Sequence, residues 1–255
     1  MENIVQVRNI KLGEGLPKIA VPFMGSNNEE ILKEVEYLKT IKVDIAEWRI
    51  DYYKDVENLE KVKEILSMVR KALGEIPLLV TFRTAKEGGE REISIEYYVE
   101  LKKAIAETKN ADLIDVELFI AEDEKVKDIV ETAHKFGCKV IMSNHDFHKT
   151  PERAEIVKRL CKMQELGADI PKIAVMPVDA KDVLELLSAT YEMKSEHGAT
   201  PIITMSMGSL GVVSRLAGET FGSALTFGSA KTASAPGQLE ANNLYEILKS
   251  ISTNK

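Results

Sequence analysis

Short runs of β-branched and other apolar residues alternate with longer segments that carry an apolar residue every three or four positions, and this holds from Lys18 to the C-terminus. A strand buried on both faces needs a brief continuous apolar run, whereas a helix laid against a sheet needs only one apolar stripe, so the alternation predicts repeated βα units. Strands are expected to begin near Lys18 (KIAVPFMG), Asp44 (DIAEWRID), Pro77 (PLLVTFRT), Leu113 (LIDVEL), Lys139 (KVIMSNHDF), Pro171 (PKIAVMP), Pro201 (PIITMSMG) and Ala224 (ALTFGSA). Their starts lie about 29 residues apart, the length a strand, a helix and two short loops require. Eight such units in 255 residues predict an α/β fold, a (β/α)8 barrel.

Helix signals fit between these runs. Ile31, Leu32, Val35 and Leu38 form one stripe after Asn27-Asn28, and Val126, Ile129, Val130 and Ala133 form another. Thr150-Pro151 predicts an N-cap followed by proline at the first helical position, and the last helix is expected from about Leu239 to Ile251. Ahead of the first barrel strand, Val5, Val7 and Ile10 alternate before Gly13 and Gly15, which predicts that residues 1–17 form a hairpin closing the barrel bottom. No Pro/Ser-rich linker divides the chain, so residues 1–255 are expected to form one barrel domain.

Composition narrows the function. With 34 Lys+Arg against 41 Asp+Glu, the net charge of −7 argues against nucleic acid or an anionic membrane as partner. The absence of a basic-then-apolar start and of any 18-residue apolar run predicts a cytoplasmic chain. Cys138 and Cys161, without a C-x-x-C pair, are expected to be buried reduced thiols, and four histidines without an H-x-H pair disfavour a metal centre.

Several strands are too polar for a barrel interior made only of packing residues. Alternation sends Glu47, Arg49 and Asp51 to one face of the second strand, Thr81 and Arg83 to one face of the third, and Asp115 and Glu117 to one face of the fourth. The depth of Asp51 and Asp115 stays open. Lys172, alone in an apolar strand, reads either as an entry lysine snorkelling to the barrel bottom or as an interior amine. His145 reads either as a satisfied strand-end histidine or as a proton carrier, with His148 a competing candidate.

An interior lysine beside Arg49 and Arg83 would lose its proton more easily than usual. At a pKa of about 10.4 only on the order of one amine in a few thousand is neutral at pH 7, and at about 8 roughly one in ten is. A neutral amine attacks a ketone to form a Schiff base. The loop Gly208-Ser-Leu-Gly211 with Arg215 suits an anion at a helix start or is plain turn chemistry. Residues 229–238 read either as an ordinary βα connection or as a lid carrying Ser234 and Gln238. These features alone equally describe a class I aldolase or transaldolase, and a catalytically silent barrel is a third possibility.

The segments Glu47-Trp-Arg-Ile-Asp51, Phe82-Arg-Thr-Ala-Lys-Glu-Gly-Gly89, Ser143-Asn-His-Asp-Phe147, Lys172-Ile-Ala and Ser234-Ala-Pro-Gly-Gln238 together resemble the type I 3-dehydroquinate dehydratases, in order and over essentially the whole chain. The resemblance implies dehydration of 3-dehydroquinate to 3-dehydroshikimate on the route to chorismate and the aromatic amino acids, without cofactor or metal, by a cytoplasmic homodimer. It implies Lys172 as the Schiff-base amine, His145 as the base and then the proton donor, and Glu87 as the residue that orients the histidine. It further implies Arg215 as the carboxylate ligand, Glu47, Arg49 and Arg83 at the ring hydroxyls, Ser234 and Gln238 as the lid, and Met205, Met207 and Phe227 as apolar walls. Thr84 and Lys231 lie in these segments without an assigned role.

Overall fold

The computed structural model describes residues 4–230 and 234–253. A hairpin, β1 (Val5–Val7) and β2 (Ile10–Leu12), precedes eight parallel strands: β3 (Lys18–Phe23), β4 (Ile45–Arg49), β5 (Leu78–Thr81), β6 (Leu113–Glu117), β7 (Lys139–Asp146), β8 (Ile170–Val175), β9 (Ile203–Ser206) and β10 (Leu225–Ser229). Each starts within two residues of its expected position. The outer helices are α1 (Asn28–Leu38), α2 (Leu59–Leu73), α3 (Ile95–Glu107), α4 (Asp123–Lys135), α5 (Arg153–Glu165), α6 (Ala180–Glu196), the short α7 (Val212–Leu216) and α8 (Gly218–Phe221), and α9 (Ala241–Ile251). Hydrogen-bonded neighbours run in sequence order from β3 to β9, and β10 returns to pair with β3, with Phe227 opposite Ala20. The ring closes between β9 and β10 at one bridge, Ile202 to Ser223. Among the described residues no helix is long and apolar enough to cross a membrane.

Two apolar layers result from strand alternation. Ala46, Trp48, Val80, Ile114, Val116 and Met142 face outward onto the helix stripes, with Trp48 stacked on Phe23 at 6.5 Å between ring centroids. Ile45, Leu79, Leu113, Ile141, Ile170, Ile203 and Leu225 fill the interior floor, and Val7 and Leu12 of the hairpin join them. The hairpin therefore does plug the bottom, and burying its apolar faces contributes on the order of 25 cal/mol per Å². With the floor apolar, the polar residues further along the strands have only the upper half of the barrel to occupy.

Three local expectations need correction. Helix α5 begins at Arg153 rather than Pro151, because Thr150 Oγ1 donates to the Met176 carbonyl at 3.0 Å and does not cap the helix. Helix α9 begins at Ala241, because Leu239–Glu240 (β11) pair with Gly228 and Ser229 of β10, and the Glu240 carboxylate caps the helix by accepting from the backbone N–H of Asn242 and Asn243. Cys138 is buried, but Cys161 is only half-buried.

Candidate active site

The upper barrel holds a cavity with about 510 Å³ of atom-free space, its open mouth included. Its lining contains Glu47, Arg49, Arg83, Glu87, His145, Lys172, Met205, Met207, Arg215, Phe227, Ser234 and Gln238, so the structure brings together every site residue expected from the sequence. His148 does not line the cavity; its backbone N–H donates to Asp146 Oδ1 at the exposed end of β7. Thr81, Gly88, Phe147, Ala174 and Ala235 complete the wall.

Lys172 projects from β8 into the interior, 4% exposed, which excludes the snorkelling alternative. Its Nζ lies 3.7 Å from Asp115 Oδ2 and 4.6 Å from the centroid of the Phe227 ring. Burial pulls the amine below its usual pKa and Arg83 and Arg49 add to this, while Asp115 and Glu47 pull it back. The carboxylates soften the desolvation of the cation without restoring its ordinary basicity.

Arg83 ties the anionic side of the cavity together. Nη1 donates to Glu117 Oε1 at 2.9 Å and to Ser143 Oγ at 3.0 Å, while Nη2 donates to Asp115 Oδ2 at 2.9 Å. The Thr84 backbone N–H and Oγ1 donate to the two oxygens of Glu117 at 2.8 and 2.7 Å, which gives Thr84 a structural role. Burial disfavours the Asp115 anion, yet Arg83, Lys172 and Lys102 hold its carboxyl below the ordinary value. Asp51, fully buried, accepts from Arg49 Nε at 2.8 Å and Nη2 at 2.7 Å in a bidentate pair. Both aspartates whose depth alternation left open are thus interior. Glu47 accepts from Thr81 Oγ1 at 2.8 Å.

His145 Nδ1 meets Glu87 Oε2 at 2.9 Å, and the same oxygen accepts the His145 backbone N–H at 3.0 Å. Burial, with Arg83, Lys172 and Arg49 nearby, holds the imidazole neutral, its pKa well below 6.5. Burial pushes the Glu87 carboxyl up to about 8 against the pull of Arg83. Glu87 closes the one-turn 3₁₀ helix Ala85–Glu87, and Gly88 follows in the left-handed region with φ of 80°. A Cβ on Gly88 would sit 2.4 Å from the Phe147 ring, which itself stacks on His145 with centroids 6.5 Å apart. That glycine lets the aromatic ring settle beside the imidazole.

Arg215, on α7, is almost fully buried, and burial alone lowers its pKa to about 10. Its Nη2 donates to the Pro236 carbonyl at 2.9 Å, and Nε has no hydrogen-bond partner among the described residues. Among them Nη1 reaches only the weak acceptor Met205 Sδ at 3.5 Å, and a buried guanidinium met by one carbonyl and a thioether is a ready site for a carboxylate. The strap over it is cross-tied: Gly208 N–H also donates to Pro236 O at 3.2 Å, the Ser234 backbone N–H donates to Gln238 Oε1 at 2.8 Å, and Gln238 Nε2 donates to Ser234 Oγ at 2.9 Å. Lys231 lies outside the described residues.

The profile of the type I 3-dehydroquinase family matches residues 19–255. The 3-dehydroquinate dehydratase of Clostridium kluyveri is 70% identical over 252 residues, 99% of each chain, and that of Clostridioides difficile is 56% identical over 97% of each. A solved type I 3-dehydroquinate dehydratase from Clostridium difficile, holding covalently modified comenic acid, superposes with a TM-score of 0.96 at 56% identity over 98% of both chains. The solved enzyme of Enterococcus faecalis superposes with a TM-score of 0.92 at 46% identity, over 98% of this chain and 100% of that one.

Proposed function

The chain belongs to the type I 3-dehydroquinase family, and we propose that it dehydrates 3-dehydroquinate to 3-dehydroshikimate through a Schiff base on Lys172. The observation that carries this reading is a buried amine of lowered basicity sharing one cavity with a neutral imidazole and a carboxylate-ready arginine.

The Lys172 amine attacks the substrate C3 carbonyl and the carbinolamine expels water to give an iminium. The carboxylates that oppose proton loss from Lys172 then stabilise this cation and hold it protonated, Asp115 at 3.7 Å first among them. His145 Nδ1 lies 2.9 Å from Glu87 Oε2, and with Glu87 ionised it donates Nδ1–H there and has its Nε2 lone pair free to remove the C2 proton. The electrons enter the iminium as an enamine and return to expel the C1 hydroxyl, which leaves as water with the proton from His145. Hydrolysis of the product iminium consumes one water and frees Lys172, so each turnover releases one water overall. Arg215 holds the substrate carboxylate, Glu47, Arg49 and Arg83 meet the ring hydroxyls, Ser234 and Gln238 cover the site, and Met205, Met207 and Phe227 wall it.

Borohydride reduction during incubation with 3-dehydroquinate, followed by peptide mapping, tests the reading. An adduct on Lys172 is expected. An adduct formed only with a phosphorylated keto-sugar would make the chain an aldolase-like enzyme, and none with either would remove the Schiff base altogether.

A further inference from the structure

Behind the His145–Glu87 pair runs a line of side chains that no step of the reaction touches. Arg159 on α5 reaches inward from the helix layer, where its Nε donates to Glu155 Oε1 at 2.7 Å and its guanidinium lies 5.7 Å from the Phe119 ring centroid. Arg159 Nη1 donates to Asn144 Oδ1 at 2.9 Å, and Asn144 Nδ2 donates to Glu87 Oε1 at 3.0 Å. The line ends at His145 Nδ1, 2.9 Å from Glu87 Oε2.

Chemistry fixes the direction of these bonds. A guanidinium has only donors, so Arg159 must face the carbonyl end of the Asn144 amide, and the NH2 end is left to face Glu87. An N–H aimed at a carboxyl oxygen favours the ionised form. A flipped amide would present its own oxygen, which only a protonated carboxyl can meet. An ionised Glu87 accepts from Nδ1–H of His145 and leaves Nε2 unprotonated; a protonated Glu87 would donate to Nδ1 and move the imidazole proton to Nε2.

Glu87 is balanced finely enough for one bond to matter. Burial, Glu117 and Asp115 from β6 favour its protonated form, while Arg83 from β5 and the Asn144 donor from β7 oppose this. His145 is faced by Arg83, Lys172 and Arg49, all cations.

We propose that Arg159 is a positioning residue for the general base: by locking the Asn144 amide it favours the carboxylate form of Glu87 and, with it, the His145 tautomer whose Nε2 accepts the substrate proton. This rests on the reading of His145 as the base.

The test compares wild type, Arg159→Met, Arg159→Lys and Asn144→Ala by the pH dependence of kcat and KM with 3-dehydroquinate, with trapping of the lysine adduct and thermal unfolding on the same samples. In Arg159→Met, kcat at pH 7 should fall about tenfold or more, KM should stay within about threefold, and the acid limb of kcat should move up by about one pH unit. The Lys172 adduct should still form. Asn144→Ala, which leaves α5 intact, should show the same upward movement, and Arg159→Lys, which keeps a donor, should return the profile most of the way to wild type. A wild-type pH profile in folded Arg159→Met or folded Asn144→Ala would overturn the proposal, as would a loss of kcat uniform across pH or confined to lowered stability. A wild type that neither turns over nor traps 3-dehydroquinate would instead remove the underlying reading, and the proposal with it.

Discussion

Lys102 on α3 offers a direct measure of what a cation costs when a barrel wall encloses it. Its amine is fully buried, has no hydrogen-bond partner among the described residues and lies 5.0 Å from the centroid of the Tyr98 ring. Burial lowers its pKa from 10.5 to about 8, against the pull of Asp115, Glu117 and Asp51 and with the help of Arg83. At roughly 1.4 kcal/mol per pKa unit, a drop of that size costs the folded state about 3 kcal/mol while the amine is charged. Methionine has nearly the same length and no charge to desolvate, but it forfeits about 1 kcal/mol of contact with the aromatic face. Lys102→Met should therefore stabilise the protein by about 1–3 kcal/mol at pH 7, a rise of roughly 3–8 °C in Tm for a chain of this size. The sign of the pH dependence follows from proton counting. The folded protein binds fewer protons at this site than the unfolded chain does, so wild type gains stability from this group as pH climbs from about 8 through 10.5. Urea unfolding of both proteins across that window should show the variant's advantage shrinking toward zero. A variant less stable than wild type at pH 7, or an advantage independent of pH, would refute the reasoning.

Other outcomes follow from the site. His145→Ala should still form the reducible lysine adduct but lose about 10²–10⁴ in kcat; near-normal turnover would exclude His145 as the base. Arg215→Met should lower kcat/KM about ten- to hundredfold through a lost charged hydrogen bond, measured by steady-state kinetics, while an analogue lacking the carboxylate should be equally poor with both proteins. Gly88→Ala should destabilise by about 1–2 kcal/mol from the left-handed backbone alone and, by displacing Phe147 from 2.4 Å, should also lower kcat. His145 should stay neutral until well below pH 6.5, because burial and the surrounding cations depress its pKa; its imidazole resonances followed by NMR across pH check this, and a ring that titrates at or above 6.5 would contradict that environment.

Strand periodicity was enough to place every barrel strand, and alternation picked the correct face for Glu47, Arg83 and Glu117, because both properties are local to the chain. Height along the barrel axis is not local. It depends on the stagger between neighbouring strands, which is why Asp115, the carboxylate nearest Lys172, had an open depth in the sequence and a definite one in the structure. The roles of Lys172 and His145 were equally undecided from spacing and were sharpened only by the resemblance of the surrounding segments. Helix stripes mislead wherever a helix buries more than its apolar positions: Lys102 sits one place after Leu101 and reads as a solvated residue, yet it is enclosed. Asn144 and Arg159 lie 15 residues apart on different elements, and no pattern in the chain announces that their side chains meet. Thr150 carried a sound capping signal that the structure spends on a carbonyl of the neighbouring loop.

The single bridge that closes the barrel gives this protein a seam. Elsewhere adjacent strands of the ring share at least two register pairs, but β9 and β10 are joined by a single backbone bridge just ahead of them, Ile202 to Ser223, backed by the Ser223 hydroxyl accepting from the Thr204 backbone N–H at 3.0 Å, so thermal breathing should begin there rather than evenly around the circle. The seam is flanked by Met205 and Phe227, both in the cavity wall, and α7 with Arg215 leaves the chain just beyond it. A molecule held by Lys172 on β8 and Arg215 beyond β9 and packed against Phe227 on β10 would touch both sides of the join where the backbone is least tied, so that a filled cavity acts as a brace. Amide exchange along β9 and β10 would then slow on occupancy more than along β4 or β5, turning the weakest join of the scaffold into the part of it most sensitive to substrate.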